Sequence, residues 1–208
     1  MTADDGRLAP VEGVADDTVA SFRAQVSQAA RDRAGSWDAV AAVLEPPDER
    51  LAELLRSGEL STTWRLGARW LGEDAELFTS DLMSLDVYAR GSRRRSVADD
   101  LARLRADHAE LVGAGAAVAG HVRAVAELCR READAWSAGD MAGGKELRAA
   151  ERALIEEQLV TVLPDLAGRL ATGASAKVWR TLGRVVLAVL SVESGRDYRR
   201  EVLGGDGD

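Results

Sequence analysis

Apolar residues recur along almost the whole chain at spacings of three and four, the repeat of a helix with one buried face. Val19, Phe22, Val26 and Ala29 or Ala30 start the first stripe, and Trp37, Val40 and Leu44 continue it past Gly35. Asp17 or Thr18 is placed to cap this helix, and Pro46-Pro47 ends it. Pro47 suits the first turn of a short helix with Leu51, Leu54 and Leu55, closed by Gly58. Ser61 can cap the next, which carries Trp64, Leu66, Trp70 and Leu71 as far as Gly72. A helix from about Asp74 to Arg90 follows, with Leu77, Phe78, Leu82, Leu85 and Tyr88 inward. After the basic loop Gly91 to Arg95, Ser96 and Asp99 form a capping pair ahead of Leu101, Leu104 and Leu111.

Gly113, Gly115 and Gly120 mark a hinge near 113–120. Val118, Val122, Val125, Leu128 and Trp136 then share a stripe up to the break at Gly139-Asp140. One helix is expected from Met141 to Leu163, with Leu147, Leu154, Ile155 and Leu159. Pro164 starts a short helix with Leu166 and Leu170 that Gly173 ends. Ser175 can cap the last helix, with Val178, Trp179, Leu182, Val185, Val186 and Val189. There is neither a fixed-period repeat nor a βα alternation. The pattern predicts an all-α, single-domain bundle of about eight helices over 18–203. An acidic disordered tail is expected over 1–17 and a second tail over 204–208.

Composition agrees with helix: only 4% of residues are aromatic, while Ala, Leu, Arg and Glu abound. Lys and Arg total 27 against 35 Asp and Glu, a net charge of -8. An acidic surface repels phosphate backbones, so a nucleic-acid partner is not expected, whereas a basic peptide fits. The single cysteine, Cys129, has no internal partner, which suits a reducing compartment. No membrane span is expected: the apolar run at Val185 to Leu190 is far shorter than the roughly 20 residues needed. Without an apolar signal core at the N-terminus, the chain is expected to be cytoplasmic.

Few residues suggest catalysis, so the chain is read as a non-enzyme that needs no cofactor. The two histidines, His108 and His121, would point to different faces of one helix, and neither a Glu-x-x-His pair nor a cysteine pair supplies metal ligands. Cys129, beside Leu128 on a stripe, reads as a small buried hydrophobe. Gly139 to Lys145 has the Gly-x4-Gly-Lys part of a phosphate loop, but Glu146 stands where magnesium binding needs Ser or Thr, and a helix precedes it rather than a strand. Gly113-Ala-Gly115-Ala-Ala-Val118 lacks the third glycine of a dinucleotide fingerprint. Arg93-Arg94-Arg95 reads as a solvated loop. Trp37, Trp136 and Trp179 sit on apolar stripes. Trp64 and Trp70 are six residues apart, too far round a helix for one narrow stripe, leaving a wider core for both or an interface for one.

The order of elements carries a resemblance. From Ala124 the chain runs through an apolar helix with Glu132-Ala-Asp-Ala-Trp136, a Gly139-Asp140 turn, an Ala/Glu/Arg-rich helix, a Leu163-Pro164 break and a final apolar helix. Trp37 to Leu60, with Pro46-Pro47-Asp48, supplies an opening helix, a proline break and a short second helix. Leu104 to Gly113 looks like a helix leading into a central loop. This order, over most of residues 20–190, resembles the TorD/DmsD family of cytoplasmic molybdoenzyme chaperones. The family's central Pro-Tyr-Glu-Ser-type segment is missing, and its Pro-Asp-His hinge is matched only by Ala106-Asp107-His108.

The resemblance implies a TorD-like bundle that binds the twin-arginine signal peptide and the apo catalytic subunit of a client molybdoenzyme. Such a chaperone assists insertion of the molybdenum cofactor and delays export. It implies Asp107, Glu127 and Glu132 as partners for the peptide arginines, with His108 beside Asp107 at the hinge. Trp64, Trp70 and Leu128 would line the apolar part. A monomer, or a homodimer that exchanges helices at the glycine hinge, is expected. The missing segment leaves a second reading open: a helical adaptor with the same fold and a different client.

Overall fold

A computed structural model describes residues 12–204 except 71, 112 and 114. Of the expected tails over 1–17 and 204–208, residues 1–11 and 205–208 lie outside the described residues, as do Leu71 on its stripe and the side chains of 12–16, 73, 74 and 109–111; residues 12–17 are helical rather than a tail. Ten α-helices, rather than about eight, account for the architecture, and the described residues include no strand.

The first helix, α1 (Glu12–Leu44), opens upstream of the expected caps Asp17 and Thr18 and passes Gly35 unbroken. The Pro46-Pro47 break holds. Asp48, not Pro47, starts α2 (Glu49–Ser57), its carboxylate accepting from the Leu51 N–H at 2.8 Å. Gly58, at φ +81°, ends α2 and immediately starts α3 (Glu59–Ala68), a left-handed conformation that glycine adopts without strain. Ser61 therefore lies inside α3 instead of capping it; its hydroxyl donates to the Gly58 carbonyl and to Asp86.

A 3₁₀ turn (Gly72–Ala75) leads to α4 (Glu76–Ser92). The Ser96 cap forms as expected, accepting from the Asp99 N–H at 3.1 Å before α5 (Val97–Leu111). Gly115 is the first residue of α6 (Gly115–Ala138) and Gly120 lies within it, so only the neighbourhood of Gly113 interrupts the helices. Gly139, at φ +82°, and the cap of Asp140 on the Gly143 N–H turn the chain into α7 (Met141–Leu154).

The single helix expected from Met141 to Leu163 is interrupted. A π-helical segment, Ile155–Leu159, and a turn separate α7 from α8 (Leu163–Gly173), which begins with Pro164 in its first turn. Ser175 does not cap α9 (Lys177–Ser194). Asp107 of α5 instead ties down the two residues just before the helix, accepting from the Ser175 hydroxyl and the Ala176 N–H, each at 2.7 Å. A short α10 (Tyr198–Leu203), capped by Asp197, ends the bundle.

The helices surround α9, which is buried on nearly every side, from Val178 to Ser191. Such all-round burial marks a central helix. The α1–α6 interface is the most extensive, with α7 against α6, α8 and α4 against α9, and α3 against α1. Trp37, Trp64 and Trp179 are almost wholly enclosed in one contiguous apolar cluster that draws on every helix but α7, whose partly buried Leu154 packs against it. Two glycines set close approaches. A Cβ on Gly183 would lie 2.5 Å from backbone atoms of Ala167 and Ala171, so α8 and α9 touch there; one on Gly67 would strike Ser36, letting α3 settle on α1. Among the described residues, no helix is long and apolar enough to cross a membrane.

Candidate functional site

Charged side chains from four helices converge under one face of the bundle. Arg33 of α1 pairs with Glu132 of α6, reaches Glu151 of α7 at 3.3 Å and lies 3.8 Å from Glu193 of α9. Arg148 of α7 binds Glu151 at 2.6 Å and Glu193 at 2.9 Å. Helical spacing sets up two of these contacts: Arg148 and Glu151 are three apart, and Glu132 accepts from the Trp136 indole N–H, four residues on, at 3.3 Å. The three glutamates are nearly buried and meet only two guanidinium groups, so full ionisation leaves one surplus negative charge.

The excess favours holding a proton on one of the carboxyls. Burial, reinforced by Glu151, pushes the Glu132 carboxyl up to about 7 despite Arg33. The adjacent Cys129 thiol is driven well above its usual range by burial and then by Glu151, which makes it a protonated core residue rather than a nucleophile. The described residues contain no cluster of His, Cys, Asp and Glu suited to a metal ion.

Above this cluster lies a groove of about 500 Å³. Phe22, Val26 and Ala29 of α1, Trp70 just after α3, and Val192 of α9 form its apolar lining; Arg33, Arg148 and Glu193 form its charged floor. Phe22 is 54% exposed and Trp70 39%, unusually open for aromatic rings. Phe22 meets Trp136 edge to face at 6.0 Å. At the rim, the Trp70 indole N–H donates to Asp32 Oδ2 at 2.6 Å, and the Arg69 guanidinium lies over the Trp70 ring, 4.5 Å from its centre. A smaller pocket beside Trp64 and Phe78 shares Arg33, Gly67, Val192 and Glu193 with the groove.

A second cleft, of about 490 Å³, lies where the end of α1 and the start of α2 face α6. It is lined mainly by charge: Asp38, Glu45, Asp48 and Glu127 against Arg50, Arg123 and Arg130. Arg130 pairs with Asp38 and Glu127, and Arg123 with Glu45.

The residues implied by the resemblance are spread over these features. Trp70 lines the apolar groove and Glu132 lies in the cluster beneath it. Trp64 lines the smaller pocket but is almost fully enclosed, its indole donating to the Ser36 carbonyl at 3.2 Å. Glu127 lies in the charged cleft, paired with Arg130, and Leu128 is half-buried next to it. Asp107 and His108 lie elsewhere, against the α8–α9 junction. Against partial desolvation, the Ser175 and Ala176 donors hold the Asp107 carboxyl below the ordinary range. His108 is buried, its ring 5.4 Å from that of Trp179; burial pushes its pKa down, although the Val43 and Leu44 carbonyls favour the protonated form.

Sequence reasoning missed Arg33, Arg148, Glu151 and Glu193, as well as Asp32 and Arg69. A signal was present for the first: Arg33 interrupts the apolar stripe between Ala30 and Trp37, a position where a charge must find a buried partner. The phosphate-loop fragment forms a helix-to-helix turn. The Gly143 N–H is taken by Asp140, and Gly144 packs on the Trp136 indole. In the basic loop, Arg95 binds Asp100, while Arg56 donates to the Ser92 and Arg95 carbonyls.

No family model matches the chain, and no curated protein and no solved structure is significantly similar to it.

Proposed function

We propose that the protein holds a polypeptide, and that its client is an export-bound molybdoenzyme met in the cytoplasm, as the resemblance to the TorD/DmsD chaperones implies. The observation that carries the holding role is the open groove between α1, Trp70 and α9, with exposed Phe22 and Trp70 over a charged floor of Arg33, Arg148 and Glu193 and with Asp32 bonded to the Trp70 indole at the rim. A twin-arginine signal offers guanidinium groups followed by an apolar stretch, and an acidic protein with such a groove complements both. The enclosed, protonated Cys129 and the internally bonded Asp140 turn offer no competing chemistry. The order of α6, the Gly139-Asp140 turn, α7, an interruption at 155–162, α8 opening on Leu163-Pro164 and then α9 is compatible with the pattern on which the resemblance rests. Capture of the apo catalytic subunit of a twin-arginine molybdoenzyme from the same cells tests the proposal. Full cofactor loading and normal export of every such enzyme in a deletion strain would overturn it.

One observation favours the adaptor reading. Asp107 and His108, the counterpart of the family's hinge, are engaged against the bundle, Asp107 bonded to the α8–α9 junction and the buried His108 ring tilted at 45° to that of Trp179. A twin-arginine peptide and its Lys-Lys variant binding equally weakly would decide for an adaptor with another client.

A further inference from the structure

Asp32 is an unusual carboxylate in this protein. Its side chain is only 6% exposed, yet among the described residues its one ion-pair partner is Arg69, at 2.8 Å, whose side chain is 45% exposed. A carboxylate this enclosed needs a cation and hydrogen-bond donors. Asp32 has the donors, Gln28 on Oδ1 at 2.9 Å and the Trp70 indole N–H on Oδ2 at 2.6 Å. The cation comes from the solvent side.

Arg69 also stacks over the Trp70 ring, so its guanidinium sits between a carboxylate and an indole face. Guanidinium groups are bound by this combination of charge-assisted hydrogen bonding and cation–π contact. The same indole lines the apolar groove with Phe22 and Val26. Trp70 thus joins the groove to the position Arg69 occupies, with apolar surface alongside.

The geometry points to a binding site for an arginine of a polypeptide partner at Asp32 and Trp70, which Arg69 fills in the free protein. The inference rests on the peptide-holding role proposed above and narrows it to one side chain. Arg69 is suited to leave. It lies in the turn just after α3, with Nη2 2.8 Å from Asp32 Oδ2 and nearly half of its side chain open to solvent. Its guanidinium is open to solvent on its outer side, so a second guanidinium can reach the enclosed carboxylate as it withdraws. An incoming arginine, free to present its fork and to bury apolar neighbours against Phe22, makes the stronger contact. Lysine lacks both the fork and the flat face that stacks on Trp70.

The test compares the wild type with Arg69→Ala and Arg69→Gln by calorimetric titration with a short peptide carrying one arginine followed by four apolar residues, and with its lysine counterpart. Two variants are used so that the measurement survives if one fails to fold. Removing the internal competitor is expected to tighten binding of the arginine peptide about tenfold. The lysine peptide should bind about tenfold more weakly than the arginine peptide, and Asp32→Asn added to Arg69→Gln should abolish the gain. Equal affinity of wild type and both Arg69 variants, or equal binding of the two peptides, overturns the inference. The holding role fails separately. A wild type that binds a twin-arginine signal which the Arg69 variants bind no better keeps that role and loses this site. Arg69 variants that gain the single-arginine peptide, in a protein whose deletion leaves molybdoenzyme loading and export intact, keep the site and lose that client.

Discussion

Replacing Arg33 by methionine is the sharpest test of the buried charge cluster. Methionine keeps the length and apolar stem of the side chain but removes the guanidinium that meets Glu132, Glu151 and Glu193. Arg148 still serves Glu151 and Glu193, so Glu132 is the carboxylate left without a cation. Stranding one member of a buried ion pair costs about 3–5 kcal/mol, a large part of the roughly 5–15 kcal/mol that holds a domain folded.

The cost must depend on pH, because Glu132 escapes it by taking up a proton. In the wild type the Glu132 carboxyl is raised to about 7. A raised carboxyl contributes stability that is complete below its unfolded value, near pH 4.5, and is lost as pH rises through about 7. Without Arg33 that carboxyl rises further, so the variant keeps its proton where the wild type has released it. The deficit relative to wild type should then be nearly constant below about pH 6 and grow by up to about 1.4 kcal/mol per pH unit above 7. Urea unfolding followed by tryptophan fluorescence and far-ultraviolet circular dichroism between pH 5.5 and 8.5 measures this directly. Adding Glu132→Gln should recover most of the loss at pH 8 and remove the slope. A deficit below about 1 kcal/mol at pH 8, or one that does not change with pH, would refute the assignment of these groups as a coupled buried network.

Gly183→Ala should destabilise by about 2–3 kcal/mol in the same unfolding assay, because the new methyl meets backbone of α8 that cannot yield like a side chain. Gly58→Ala should cost about 1–2 kcal/mol through backbone conformation alone, since φ is +81° and nothing lies closer than 3.9 Å to the new carbon. Asp107→Ala should lose about 1–2 kcal/mol at neutral pH by freeing the start of α9, with no loss of peptide affinity. Because that carboxyl is held below its ordinary value, its contribution is present near neutrality and lost as pH falls below about 4, so variant and wild type should converge in acid.

Most helices were legible in the chain because their signals are local. Pro46-Pro47, Gly58, the Ser96 cap and the Gly139-Asp140 turn each act within a few residues, and each appears where its chemistry places it. The errors occur where a distant group intervenes. Ser175 looks like a cap from its own neighbourhood, but Asp107 in α5 takes up its hydroxyl. The stripe from Met141 to Leu163 carries nothing that announces the π-helical segment at Ile155–Leu159, which lies packed against α6 and α9.

The sequence by itself determined an acidic, all-helical protein with an apolar stripe on nearly every helix, since periodicity and capping depend on residues three or four apart. Only the tertiary structure decided which charges are buried and which aromatic rings stay open. Arg33, Glu132, Glu151 and Glu193 come from four helices, and Asp32 meets Arg69 and Trp70 only because Gly67 lets α3 rest on α1. A charge on a helix reads the same whether it faces water or a partner. Its role depends on what packs against it, and that depends on contacts between residues far apart in the chain.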